Sequence, residues 1–424
     1  MVETETKIQR YDSYKDSGVE WLGEIPEHWE VKPGFTILLE SKEKNIGFIE
    51  KTVLSLSYGN VVIKPKEKLT GLVPESFEAY QLVKPGDIII RPTDLQNDKT
   101  SLRTGLAKDN GIITSAYINL RVNGKNDNAF YHYYLHTIDI NKVIYGLGSG
   151  LRQNISFWDF KRFPFPFPPL PEQTKIAQYL DDKTSKIDKA IGIKAQQINL
   201  LKERKQILIH KAVTRGLDDS VVLKGSGVEW IGEIPEHWEV KRLKFTSNLI
   251  SEKVSSKESH LDYIGMENIE SWTGQFISSD SETDGLANYF DKGDVLFGKL
   301  RPYLAKVYLA EKEGICSTEF LVYRTSKLIY SWYLNLIMLS FEFINLIDSS
   351  TYGSKMPRAN SEFIGNQLIP VPPLSEQKEI SAYIKTASQK TETAIGLKQR
   401  EIAKLKEYKS SLINGMVTGK VRVC

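Results

Sequence analysis

The segment GVEWLGEIPEHWEVK at residues 18–32 returns as GVEWIGEIPEHWEVK at residues 227–241, with Leu22 against Ile231 as the one difference. A second pair keeps the same order: PPLPEQTKIAQYLDDKTSKIDKAIG at 168–192 and PPLSEQKEISAYIKTASQKTETAIG at 372–396. Between these flanks lie weaker echoes, KPGDIII (84–90) with KGDVLF (292–297) and GIITSAYINLRV (111–122) with GICSTEFLVYRT (314–325). The chain is one unit of about 205 residues written twice, not a solenoid of short repeats. Its flanks match closely and its interiors do not. That pattern suits a shared frame whose two interiors meet different things; the plain alternative is duplication followed by drift.

Each interior reads as mixed α/β. VLSLSY, DIIIRP, GIITSAYINLRV, DVLFGK and FLVYRT are short, β-branched or aromatic runs bounded by Gly and Pro, which predicts strands. A helical stretch follows in each, at 129–144 and at 329–347. The second is apolar enough for one buried helix, while Ser331, Asn335, Ser340, Glu342 and Asn345 exclude a membrane span.

PPLPEQ and PPLSEQ then read as helix starts, with Pro171 suited to a first turn and Ser375 to a cap. Over 176–213, Leu180, Ile187, Leu201 and Leu208 share one seam position and Ile191, Ile198 and Ala212 the other. The second copy supplies Ile384, Leu405 and Leu412, with Ile395, Ile402 and Met416. This is a coiled-coil stripe. Lys194, Lys205, Lys398 and Lys409 interrupt it at matching places, either as polar residues that set register or as surface lysines whose stems lie along the seam. Each helix is expected to run about 40 residues, roughly 60 Å. About ten residues separate the end of the first, near Gly216, from the second GVEW block. An approximate two-fold axis relating the halves then predicts antiparallel helices with one globular domain toward each end.

The expected fold class is α+β: a tandem duplication of a mixed α/β domain followed by a long helix, the two helices pairing as an antiparallel coiled coil. The expected boundaries are 1–34 for the first repeated segment, 35–167 for the first domain and 168–217 for the first helix. The second repeated segment and linker take 218–243, the second domain 244–371 and the second helix 372–424.

The order of GVEWLGEIPEHWEV, a divergent domain, PPLPEQ with a long helix, and all of it again resembles the specificity subunit of Type I restriction–modification systems across essentially the whole chain. The resemblance implies two target recognition domains, each reading half of a bipartite, asymmetric sequence in double-stranded DNA. It implies that the conserved helical regions dock two methylation subunits and that restriction subunits join outside them. S-adenosylmethionine, ATP and magnesium are then expected on those partners, with no cofactor or metal on this chain.

Composition is compatible with this and does not demand it. The 424 residues are 41% hydrophobic and 26% charged, as in globular proteins, and a net charge of +3 names no partner. Cys316 and Cys424 make no disulfide framework. No run of eighteen apolar residues occurs, the polar N-terminal stretch is no signal peptide, and the cytoplasm is the expected location.

Catalytic motifs fail on particular residues. GDVLFGK (293–299) nearly spells a phosphate loop, but Leu300 stands where Ser or Thr must ligate magnesium, and its interior suits a strand. GLGSG (146–150) lacks the full dinucleotide spacing. The PPL motifs follow Phe167 and Val371, where an amino-methyltransferase needs Asn or Asp, and no Pro-Asp dipeptide occurs. His132 and His136 are spaced for one helix face, but Tyr133 replaces a metalloprotease glutamate. A non-catalytic chain is expected. A stand-alone methyltransferase or nuclease lacks its motifs here, and a coiled-coil scaffold leaves the two large domains without a task.

The DNA chemistry lies in basic and amide-rich loops. RPTDLQNDKTSLR (91–103) offers Arg91, Gln96, Asn97, Lys99 and Arg103, and GKLRPYLAK (298–306) offers Lys299, Arg301, Tyr303 and Lys306. Before the prolines, 148–154 carries Arg152, Gln153 and Asn154, and 353–360 carries Lys355, Arg358 and Asn360. Arginine can grip guanine through two bonds and Asn or Gln can do likewise with adenine, while lysine suits phosphates. Ordinary solvated loops would have similar composition. Trp21, Glu24 and Trp29, with Trp230, Glu233 and Trp238, make a repeated acidic–aromatic patch that should repel DNA. It is expected to face protein: the chain's own helices, a docked subunit, or both.

Overall fold

The computed structural model describes residues 8–65, 67, 77–93, 95, 102–147, 154–279, 285–351, 353 and 355–423. The chain divides into two compact units, one of residues 1–193 with 400–424 and one of residues 194–399. Seven α-helices lie among the described residues: α1 (Asn128–Ile140), α2 (Phe157–Lys161), α3 (Leu170–Arg215), α4 (Ser331–Leu339), α5 (Phe341–Ser349), α6 (Ser361–Asn366) and α7 (Leu374–Val417). Each unit therefore combines one mixed α/β domain with part of both long helices.

The first unit holds a four-stranded antiparallel sheet in the order 104–106, 88–90, 118–122, 38–41. The second repeats the pattern as 307–309, 295–298, 320–325, 247–250. Strand side chains alternate between faces. Ile88 and Ile90 enter the core that contains Phe130 and Tyr134 of α1, whereas Ile89 joins Leu54, Val61 and Val83 in a separate cluster. Val295 and Phe297 likewise pack with Tyr333 and Ile337 of α4, and Leu296 with Phe290 and Phe320. The KPGD and KGD echoes are the turns that feed these strands. Gly86 and Gly293 both adopt φ +91°, and the next residues, Asp87 and Asp294, accept hydrogen bonds from Arg121 and Arg324 at 3.1 and 2.8 Å. The phosphate-loop lookalike is thus a turn followed by the strand Val295–Gly298.

One expected element divides. The single helix expected at 329–347 is two helices, because Ser340 takes an extended conformation (φ −69°, ψ 142°) and ends α4 while standing at the N-cap of α5. Its hydroxyl donates to the Ile337 carbonyl at 2.7 Å, which satisfies an acceptor at the end of α4.

Within each unit the long helices run antiparallel. In the first, Ile176, Leu180 and Ile187 near the start of α3 share a core with Leu412, Ile413 and Met416 near the end of α7. In the second, Ile209 and Ala212 near the end of α3 share a core with Ile380 and Ile384 near the start of α7. The seam lysines reach across. Lys409 binds Asp188 at 2.7 Å in the first unit, and Lys205 binds Glu392 at 2.9 Å in the second. These are the same pair under the repeat with the helices exchanged, so opposite charges set register twice.

The repeated motifs turn out to be bonding partners. The strand Glu30–Pro33 pairs with Pro164–Phe167, and Glu239–Arg242 with Leu368–Val371, so each repeated segment lies beside the strand that leads into PPL. The glutamates that follow accept from the EHW histidines, His28 to Glu172 at 2.8 Å and His237 to Glu376 at 2.7 Å. The adjacent glutamines are fully buried. Gln173 accepts from the Asp127 amide at 2.9 Å and donates to the Pro168 carbonyl at 2.8 Å; Gln377 accepts from the Tyr330 amide at 2.7 Å and donates to the Pro372 carbonyl at 2.8 Å. Asp127 and Tyr330 are the N-caps of α1 and α4, so each glutamine satisfies a backbone donor where its domain's first helix begins.

Trp29 and Trp238, expected in a docking patch, are 0% exposed. Each ring lies against the glycine that ends a long helix, Gly419 after α7 for Trp29 and Gly216 after α3 for Trp238, both at φ +75°. A Cβ at Gly419 would stand 2.4 Å from Pro26 and 3.0 Å from Trp29. Gly419→Ala therefore combines left-handed strain with a clash, and a loss of on the order of 2 kcal/mol is expected by denaturant unfolding. Gly192→Ala, at a helical site with nothing within 4 Å of the added carbon, should instead be neutral or stabilising.

Candidate nucleic-acid interface

In the second unit the two basic loops form one surface. The Ala359 amide donates to the Lys299 carbonyl at 2.9 Å, the Arg301 amide to the Pro357 carbonyl at 2.8 Å, and Leu300 bridges Arg358. Arg301 (φ 52°, ψ 64°) and Ala305 (φ 47°, ψ 49°) are both left-handed and bracket a single 3-10 turn at Pro302–Leu304. A non-glycine residue there costs about 1 kcal/mol or more and persists only where its surroundings impose it. The bonds to Pro357 and around the turn supply that constraint. The result is an exposed arginine side chain on a stiff base, with no hydrogen bond or ion pair among the described residues. Tyr303 beside it is 45% exposed, Lys299 is half-buried and Lys355 is exposed.

Three expected readers in this unit are occupied elsewhere. Arg358 holds Glu319 through both ends of its fork at 3.1 and 3.0 Å, and that carboxylate holds the guanidinium above its usual range. Lys306 donates to the Met266 carbonyl at 2.6 Å, and burial lowers its pKa. Asn360 caps α6, its Oδ1 accepting from the Glu362 and Phe363 amides at 2.7 and 3.3 Å. The structural counterpart of Asn360 is Ser156, the N-cap of α2, so the echo that matched it with Asn154 is displaced by two residues.

The first unit also joins its two segments, through the Ile155 amide and the Pro92 carbonyl at 3.0 Å. Arg91 is half-buried and Asn154 exposed. Gln96, Asn97, Lys99, Arg152 and Gln153 lie outside the described residues. Arg103, expected to reach DNA, is 0% exposed. Its Nη1 donates to the carbonyls of Thr93 and Arg91 at 2.6 and 3.3 Å, its amide donates to Asp139, and its guanidinium lies over the Tyr145 ring. It builds the base of the loop and has no surface to offer a base pair.

Two exposed aromatics near these segments escaped the sequence reading: Tyr58, 85% exposed at a hairpin tip with φ +46°, and Trp158 on α2. The Tyr-Gly turn was a visible signal for the first. For the second nothing in FWDFK says which aromatic faces out.

The other two tryptophans of the acidic–aromatic patch are half-buried. Trp21 stacks on Phe163 with centroids 5.8 Å apart, and Trp230 meets Phe343 edge-on at 5.6 Å. Glu24 and Glu233 stay exposed, Glu233 beside Arg215 at 3.0 Å. His132 Nε2 and His136 Nδ1 are buried without a hydrogen-bond partner. Burial lowers their pKa values to about 3 and about 4, so both rings are neutral at pH 7. Among the described residues no group of three or more His, Cys, Asp or Glu could hold a metal, and no helix is long and apolar enough to cross a membrane. The buried Cys316 thiol is pushed up to about 12 and is protonated.

Two like domains, each fastened to an antiparallel pair of helix segments and each carrying a loop surface, define a duplicated α+β recognition architecture. The family model described as Type I restriction modification DNA specificity domain matches residues 61–203 and 235–406, and the chain belongs to that family. It is 27% identical over 280 residues to the Type I restriction enzyme MjaVIII specificity subunit of Methanocaldococcus jannaschii, covering 62% of this chain and 63% of that one. To the putative type I restriction enzyme MjaX specificity subunit of the same organism it is 24% identical over 427 residues, covering 95% and 96%. Against the Escherichia coli Type I restriction enzyme EcoDI specificity subunit it is 26% identical, spanning 52% of that protein and 50% of this chain. A chain from a structure of type I R-M complex assembly and conformational transition shares the fold at TM-score 0.69 and 14% identity, covering 93% of this chain and 99% of that one. The HsdS subunit from Thermoanaerobacter tengcongensis does so at 0.52 and 15%, covering 93% and 98%.

The contrast between the two arginines can be measured. Arg103→Ala keeps the amide bond to Asp139 but leaves the Thr93 and Arg91 carbonyls without the guanidinium and opens a cavity, and should cost about 2–4 kcal/mol in denaturant unfolding. Arg301→Ala should stay within about 0.5 kcal/mol of the intact chain, and Arg301→Gly should gain up to about 1 kcal/mol by relieving the left-handed backbone.

Proposed function

We propose that this chain is the sequence-reading, non-catalytic subunit of a Type I restriction–modification complex, and that each unit's domain reads one half of a bipartite, asymmetric site in double-stranded DNA. The observation that carries the reading is the fused surface of 299–305 and 355–360, which presents Arg301, its side chain unpaired among the described residues, on a strained, hydrogen-bonded turn. A strained residue held by its surroundings is a functional candidate, and an arginine so held is pre-ordered for two-bond contact with guanine. Arg301 reads a base; Lys299, Tyr303 and Lys355 position the duplex. In the first unit Arg91 and Asn154 are the described candidates.

The long helices and the outward edges of the repeated segments, with Glu24 and Glu233, dock two methylation subunits, and restriction subunits join that assembly. S-adenosylmethionine, ATP and magnesium belong to those partners. The complex works in the cytoplasm, where the DNA is.

Mapping methylated bases in cells that express the chain with its methylation subunits tests the reading. A two-part recognition word separated by unspecified bases is expected. Arg301→Ala should relax or lose one position in one half and weaken cognate binding about tenfold or more, with little effect on random duplex. Equal loss on cognate and random duplex with a shallower salt slope would make Arg301 a phosphate contact. One unbroken word would contradict the bipartite reading.

A further inference from the structure

The first unit carries an aromatic–basic element that its counterpart lacks. Helix α2 buries Phe160 and turns Trp158 outward at 71% exposure. Lys161 Nζ sits 4.4 Å from the centre of the Trp158 ring, and Arg162 next to it is exposed. The nearest acid in sequence does not oppose these cations freely. Asp159 accepts from the Ser156 amide and hydroxyl at 2.7 and 2.9 Å in a capping box.

The element is firmly mounted. The Ile155 amide bonds the Pro92 carbonyl on one side of α2, and the Gly34 amide bonds the Phe163 carbonyl at 3.0 Å on the other. Gly34 lets the backbones approach so closely that a Cβ there would stand 2.2 Å from the Phe160 carbonyl. The Pro92 bond also ties the helix directly to the segment that begins with Arg91. A bare indole on a fixed base, with two cations and no acidic partner among the described residues, suits a ligand that offers a flat or apolar face between negative charges. Duplex DNA, with sugars and bases between phosphates, is such a ligand.

We infer that Trp158, Lys161 and Arg162 form an additional DNA contact specific to the half-site read by the first unit. The indole packs on a sugar or base and the two cations take the flanking phosphates. A docked protein is the less favoured partner, for a reason the duplication supplies. Two identical methylation subunits would need the same surface in both units, yet the N-cap correspondence of Ser156 and Asn360 puts Glu362 where Trp158 stands. A half-site contact needs no such symmetry.

The inference rests on the proposed DNA-reading function, and one experiment separates the two. The full chain, alone and assembled with its methylation subunits, is compared with Trp158→Phe for acrylamide-quenchable tryptophan fluorescence, before and after adding cognate duplex. The component lost in the variant should be open to quencher without DNA and shielded with it. Trp158→Ala should bind cognate duplex about tenfold more weakly, Lys161→Ala should flatten the salt dependence by about one counterion, and Glu362→Ala should bind like the intact chain. Specific binding with Trp158 still quenchable, or undiminished affinity of Trp158→Ala, overturns the inference and leaves the DNA-reading function standing. Shielding by the methylation subunits before DNA is added also overturns it, as a protein contact. Failure of the assembled chain to bind any duplex overturns both.

Discussion

A Glu-Gln dipeptide just after a proline stop holds each unit together. Gln173 and Gln377 are fully buried, and each joins the start of a long helix to the start of its domain's first helix. Glu172 and Glu376 beside them bind the histidines of the repeated segments. An amide bond of this kind contributes only about 1 kcal/mol net, but an unpaired group in such a place costs about 1–3 kcal/mol. The arrangement therefore acts mainly through its alternatives, because any other seating of helix against domain leaves polar groups stranded. The loop surfaces inherit their position from it.

The two units solve the same problem with small differences that show which parts are interchangeable. In the second, the Trp238 indole donates to Glu376 at 2.9 Å. In the first, Tyr11 takes the corresponding carboxylate at 2.6 Å and the Trp29 indole nitrogen is left without a partner. The chain ends pair there too, Ile8 with Val423 and Gln9 with Arg422. The frame tolerates such exchange because helix end, tryptophan and strand pair remain. The interiors differ at Trp158, where the N-cap correspondence puts Glu362 in the second unit.

The duplication, the strand-rich interiors, the long helices and their seam were all legible as periodicity and repetition, which a single sequence displays directly. Partnership was not. EHW and EQ lie 144 residues apart (28 to 172), and nothing local says that one binds the other. The same limit explains Arg103, whose type and neighbourhood read as DNA-facing while three-dimensional packing turned it onto carbonyls. It explains Trp29 and Trp238, for which composition left the chain's own helices and a docked subunit both open, and which the helix-ending glycines cover in the core. The break at Ser340 was hidden by an apolar run that suits one helix or two. The joining of 299–305 to 355–360 was equally invisible, although both loops had been singled out.

The central claim is that each buried glutamine fastens its own unit's domain to its own helix start. Hydrogen exchange on Gln377→Leu, followed amide by amide, tests it most directly. Loss of protection at Tyr330 and through α4 and the strand Leu368–Val371, with protection around α1 unchanged, is the expected result. Unchanged exchange at Tyr330, or equal loosening of both units, would contradict it.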